Sequence, residues 1–186
     1  MKTEVTQGLY RSITGTSVSR FKNCGLDCPV EKVSWFSAIK FANQLSEKEG
    51  LTKCYTFGQG GNNWPEWDQK CTGWRLPTEM EWALAARDPM AKSFSNRGNI
   101  GQCSGGESCA EVAWTSENSQ GKTHPVCSKQ PSARGLCDMS GNVWEWVWDF
   151  FAAYDDTEKS DFSGPKIGEE NVVRGGSWDD LAKYAH

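Results

Sequence analysis

At 186 residues the chain has the length of one domain with a single core. Its formal charge of −4, with no long Lys/Arg run, leaves no electrostatic footprint for a polyanion, so nucleic acid is excluded as an expected partner. No apolar stretch approaches the roughly 18 residues that span a bilayer, and the opening MKTEVTQGLYRS is polar where a signal peptide would be apolar. The 19 Gly and 10 Trp accompany only 37% hydrophobic residues, so large rings on loops must supply much of the buried area.

In chain order, the first local feature is Cys24-Gly-Leu-Asp-Cys28, a spacing that suits a short disulfide staple. A helix is expected from Ser34 to Gly50. Ala38, Phe41, Ala42 and Leu45 recur at i, i+3, i+4 and i+7, with Ser34 as N-cap and Gly50 as stop. Cys54 and Cys71 then bracket the Gly/Asn/Trp-rich GQGGNNWPEWDQ and are read as a second bridge. A second helix follows Pro77. Thr78-Glu79-Met80-Glu81 is a capping box, and the helix should run from Glu79 to about Arg87, burying Trp82, Ala85 and Ala86.

Beyond Asp88 the chain is dense in Gly, Ser, Asn and Asp, with strand-like bursts VWEWVWDFF and NVVRGGSW. Cys103 and Cys109 flank a short loop and form the third expected bridge, whereas Cys127 and Cys137 could either pair across QPSARGL or remain free. Eight cysteines without paired CxxC knuckles are heavy for a reducing compartment. They point to an exported protein, periplasmic or extracellular, although no export signal is present in the chain.

Five segments occur in one order: EVTQGLYRSITG at 4–15, CPVEKVSWFSAIKFANQLS at 28–46, GWRLPTEMEWALAAR at 73–87, GLCDMSGNVWEWVWDF at 135–150 and VVRGGSW at 172–178. Together they resemble the formylglycine-generating-enzyme, or sulfatase-modifying-factor, domain family across nearly the whole chain. The resemblance implies an α+β, loop-rich fold of the C-type-lectin-like kind. It would place two helices beside a small twisted antiparallel sheet, stabilised by disulfides and calcium. It also implies a hairpin before the EVT strand and a closing strand beyond RGGSW, so a single domain over residues 1–186, cut at both ends, is expected. Arg75, Glu79, Glu81, Arg87 and Arg174 are read as a structural charge network that ties loops to the second helix.

Carried over position by position, the family's calcium turn would be built here from the side chains of Asp138 and Glu145 and the carbonyls of Gly141 and Val143. That donor set suits a hard cation. Asn142 is expected to shape the turn. A second family calcium site would fall in SENSQGKTHPV, where only Asn118 matches a ligand position, and no ion is expected there.

Oxidases of the family hold copper(I) with two cysteines that follow the GGS motif. Counted from Gly175-Gly176-Ser177, those positions are Asp180 and Ala185, neither of which supplies a thiolate. No catalytic residue and no copper are therefore expected. His124 and His186 are too few for a histidine metal triad, and no other catalytic motif is present.

The expected function is a non-catalytic exported binding or structural module. Its protein, peptide or glycan ligand is unspecified, and loops carrying Trp64, Trp67 and Trp114 could form the recognition surface. The alternative is a formylglycine-generating oxidase that converts a sulfatase cysteine, or an accessory domain whose catalytic partner domain is missing.

Overall fold

The computed structural model describes residues 1–58, 64–87, 103–106, 108–153, 164–165 and 168–185. Parts of the loops considered above, around 59–63, 88–102 and 154–163, and His186 lie outside the described residues.

The first element is a helix, α1 (Gln7–Thr14), where the resemblance leads one to expect a strand. The correction has a local cause. The Thr6 hydroxyl accepts the Leu9 N–H at 3.1 Å and caps the first turn, and Gly15, at φ +72°, ends the helix. Only Thr6 retains strand character, in an isolated bridge to Pro29. Leu9, Tyr10 and Ile13 then pack on α2 (Trp35–Lys48), where Tyr10 stacks on Phe41 with ring centroids 5.3 Å apart. Ser34 caps α2 by accepting the Ser37 N–H, and its buried face includes Trp35 and Ile39 as well as Phe41, Ala42 and Leu45.

A hairpin, β1 (Tyr55–Phe57) with β2 (Pro65–Trp67), is held to α2 by Asn43. The Asn43 Oδ1 accepts the N–H groups of Cys54 and Tyr55, and its Nδ2 donates to the Tyr55 carbonyl. α3 (Glu79–Ala86) begins with both halves of the capping box formed. Trp82 is buried on its inner face, with Ala85 and Ala86 partly buried beside it. A single turn, α4 (Cys109–Val112), precedes the long loops.

β3 (Glu145–Phe150) pairs antiparallel with β4 (Asn171–Arg174), with an irregularity between Trp146 and Phe150. Among the described residues there are thus two separate two-stranded sheets and more than two helices, in place of one sheet beside two helices. β3 is covered on both faces, as its period-2 alternation allows. Trp146 and Trp148 join the aromatic core around Trp35 and Tyr55, while Val147 joins Trp82, Met139 and Val172.

All eight cysteines are paired: Cys24–Cys28, Cys54–Cys71, Cys103–Cys109 and Cys127–Cys137. The last pair resolves the alternative left open by the sequence. Four disulfides mark an oxidising, extracytoplasmic compartment. No helix among the described residues is long and apolar enough to cross a membrane.

Of the charge network, Arg75 makes a two-pronged contact with Glu81, both bonds 2.7 Å, and Arg174 approaches Glu79 at 3.7 Å, an ion pair too long for a hydrogen bond. Arg87 stands at the C-terminal cap of α3.

Candidate functional site: the turn before the second sheet and its cleft

The segment Asp138-Met-Ser-Gly-Asn-Val-Trp-Glu145 enters β3 through a turn in which Asp138, Gly141 and Asn142 all adopt positive φ. Asp, Asn and Gly are the residues that tolerate this conformation, which is why the turn forms here. Gly141 is required on a second count, because a Cβ there would overlap the Trp114 carbonyl.

Asn142 is wholly buried and links four segments. Its side chain donates to Glu4 Oε2 at 2.8 Å and to the His124 carbonyl at 3.2 Å, and accepts the His124 N–H at 3.0 Å. Its backbone N–H donates to Trp114, and its carbonyl accepts the Trp178 N–H.

Three carboxylates surround this turn. Asp138 Oδ2 accepts the Cys127 N–H at 2.6 Å, while Oδ1 is buried without a hydrogen-bond partner among the described residues. Glu145 Oε2 accepts Trp82 Nε1–H at 2.9 Å. Glu4, from the N-terminal segment, accepts the Val143 N–H at 3.0 Å in addition to the Asn142 amide.

Burial dominates the electrostatics. It pushes the Glu145 carboxyl up to about 7 and raises Asp138, in each case against the hydrogen bond it accepts. Glu4 lies well above its ordinary value through burial first, then the charges of Asp138 and Glu145. Glu4 was not legible as a site residue; the only signal was its place in the EVT segment, which carries no ligand spacing. Among the described residues no three His, Cys, Asp or Glu side chains converge as a metal cage. Any cation here would therefore draw on backbone oxygens as well.

Asn118, in the second loop considered, is used locally: Oδ1 accepts the Thr115 N–H and Nδ2 donates to the Ala113 carbonyl.

On the other side of the turn, a cleft of about 300 Å³ is lined by Val30 to Val33, Val143, Trp144, Trp146, Val173, Ser177 and Trp178. Its rings are held in place. Trp146 Nε1–H donates to the Val33 carbonyl at 2.8 Å, and Trp178 meets Phe21 edge-on at 5.2 Å. Trp144 is 41% exposed at the rim. Of the loop tryptophans considered from sequence, Trp64 is exposed, Trp67 packs against the aromatic core, and Trp114 stacks on His124 at 3.7 Å.

Asp180 and Ala185 lie just beyond. The Ser177 hydroxyl donates to Asp180 Oδ2 at 2.5 Å, and Ala185 is fully buried beside Val112 and Cys103, its carbonyl accepting the Ser140 hydroxyl at 2.6 Å.

Residues 1–185 match the sulfatase-modifying factor enzyme 1-like domain. The chain belongs to this family. The chaperone protein LppX of Paenibacillus barcinonensis is 30% identical over 95% of this chain and 68% of its own length. The formylglycine-generating enzyme of Streptomyces coelicolor is 36% identical over 57% of this chain. That match spans only 36% of the Streptomyces enzyme's length. Among solved structures, Treponema denticola variable protein 1 superposes with a TM-score of 0.85 at 35% identity, covering 98% of this chain and 73% of that one. CarF superposes at 0.73 with 29% identity, covering 100% and 76%.

Proposed function

We propose that this domain is a non-catalytic, exported polypeptide-binding module that retains the family scaffold without its oxidase chemistry. One observation carries the reading: every cysteine is consumed in a disulfide, and the two copper-ligand positions are held by Asp180 and Ala185. The residues present do not fit copper(I), which needs soft thiolate ligands.

The tryptophan cleft supplies a positive role. It offers flat, pre-positioned rings with Ser177, Glu31 and Lys32 as polar contacts at the edge, a composition typical of polypeptide recognition. The name of the Paenibacillus relative, a chaperone, agrees with a polypeptide ligand. The C-type-lectin-like kinship belongs to the same reading, since it describes loops presented on a fixed scaffold. The names of other relatives favour a second reading, a formylglycine-generating oxidase or an accessory domain of one.

The proposal includes a structural calcium ion in the turn, held by Asp138, Glu145 and the carbonyls of Gly141 and Val143. The unpartnered, buried Oδ1 of Asp138 supports it, because an orphaned carboxylate oxygen near the half-buried carboxylate of Glu145 offers oxygen donors that suit a hard cation. Bound there, calcium would supply charge neutralisation and stiffen the entry to β3. These residues would fix the loops that shape the cleft.

The cleft is tested by titrating unstructured peptides while following tryptophan fluorescence. Trp144→Ala should weaken binding about tenfold or more with little change in thermal stability, because a partly exposed ring at a binding centre contributes far more to affinity than to folding. Unchanged affinity in that variant would remove the cleft from the function.

A further inference from the structure

Glu4 reaches the turn from 138 positions away in sequence. It is 8% exposed, and both of its oxygens are engaged by the turn, one by the Val143 N–H and the other by the Asn142 side chain. Its own segment is seated by backbone bonds on either side: Val30 N–H to the Val5 carbonyl, Gln7 N–H to Cys28 and Gly8 N–H to Leu26. The carboxylate therefore joins the N-terminal segment that begins α1 to the turn that begins β3, beside the backbone bond from the Cys137 N–H to the Lys2 carbonyl.

We infer that Glu4 is a positioning residue for the cation turn, so that cation occupancy and seating of the N-terminal segment are one coupled event. By holding the Val143 N–H and the Asn142 side chain, Glu4 fixes the Asn142–Val143 peptide that lies between the two carbonyls offered to the cation, those of Gly141 and Val143. It is not itself required as a ligand. The buried carboxylates of Glu4 and Asp138 and the half-buried one of Glu145 lie within electrostatic reach of one another, and Asp138 keeps a buried oxygen without a hydrogen-bond partner among the described residues. Without a cation their mutual repulsion opposes the seating of Glu4; with a cation between Asp138 and Glu145 the repulsion becomes net attraction. Linkage makes the effect reciprocal, since whatever Glu4 adds to cation affinity the cation adds to the docking of residues 4–10. The inference rests on the calcium reading above.

The test uses the whole chain after chelator treatment and dialysis. Terbium binding is read by luminescence sensitised through Trp82, which hydrogen-bonds Glu145, and calcium binding by displacement of terbium. Glu4→Gln should reduce calcium affinity about tenfold, within the usual range of coupling energies. The melting temperature of the calcium-free variant should be unchanged or higher, because a repelling charge is gone.

A purely structural Glu4 would instead lower stability equally with and without calcium at unchanged affinity, and that result overturns the inference while leaving the calcium reading intact. Failure of the unsubstituted protein to bind terbium or calcium overturns both. Hydrogen exchange on the unsubstituted protein provides a reading free of any folding defect. Calcium should slow exchange at Val143 and also at Gln7 and Gly8. Slowing confined to residues 138–145 contradicts the coupling.

Discussion

At the scale of single residues, the buried amide of Asn142 has the largest structural effect. It satisfies its own donors and acceptor with Glu4 and His124, while its backbone joins Trp114 and Trp178. Truncation would leave the Glu4 carboxylate and the His124 peptide short of partners inside the protein, and would place alanine at φ +57°. Leaving buried polar groups unsatisfied costs about 1–3 kcal/mol each. Asn142→Ala should therefore lower unfolding stability by roughly 3 kcal/mol in urea titrations. A loss well under about 1 kcal/mol would mean that the four segments are held by something else.

At the scale of elements, α3 illustrates how local chemistry and a distant partner combine. Its capping box joins Thr78 and Glu81, and Arg75 grips the same Glu81 carboxylate. The hydrogen bonds from Arg75 foremost, then the capping-box N–H, hold Glu81 below its ordinary value of 4.5. A depressed folded value means the stabilisation is present above the unfolded value and lost as pH falls through the folded one. The acid limb of a melting-temperature profile should accordingly be shallower in Glu81→Gln than in the parent. Parallel acid limbs would show that Glu81 contributes nothing beyond its cap.

The same element shows what was legible. T-x-x-E and the i, i+3, i+4 apolar spacing are local signals, and α2 and α3 follow them closely. The start of α1 is equally local, a threonine cap followed by Leu9, Tyr10 and Ile13, but the reading of EVT as a strand overrode it. The split into two sheets was not legible, because strand pairing across long loops leaves no periodic trace. The residues of the turn were legible only through the family resemblance, carried over position by position. Glu4 was not, since its role exists only once residues 138 positions apart in sequence meet.

At the scale of the molecule, four disulfides and an interlocked set of tryptophans supplement the sparse regular structure among the described residues and tie loops to one another where strands do not. The family scaffold is present from residue 1 to 185, yet the chain covers only about a third of the formylglycine-generating enzymes it matches. We hold that the scaffold has been separated from the oxidation. This separation is tested most directly by incubating the protein with copper(I), oxygen and a Cys-x-Pro-x-Arg peptide and following the peptide by mass spectrometry. With Asp180 and Ala185 in place of thiolates, the peptide's cysteine should not be converted to the formylglycine aldehyde. Catalytic accumulation of that aldehyde would contradict it.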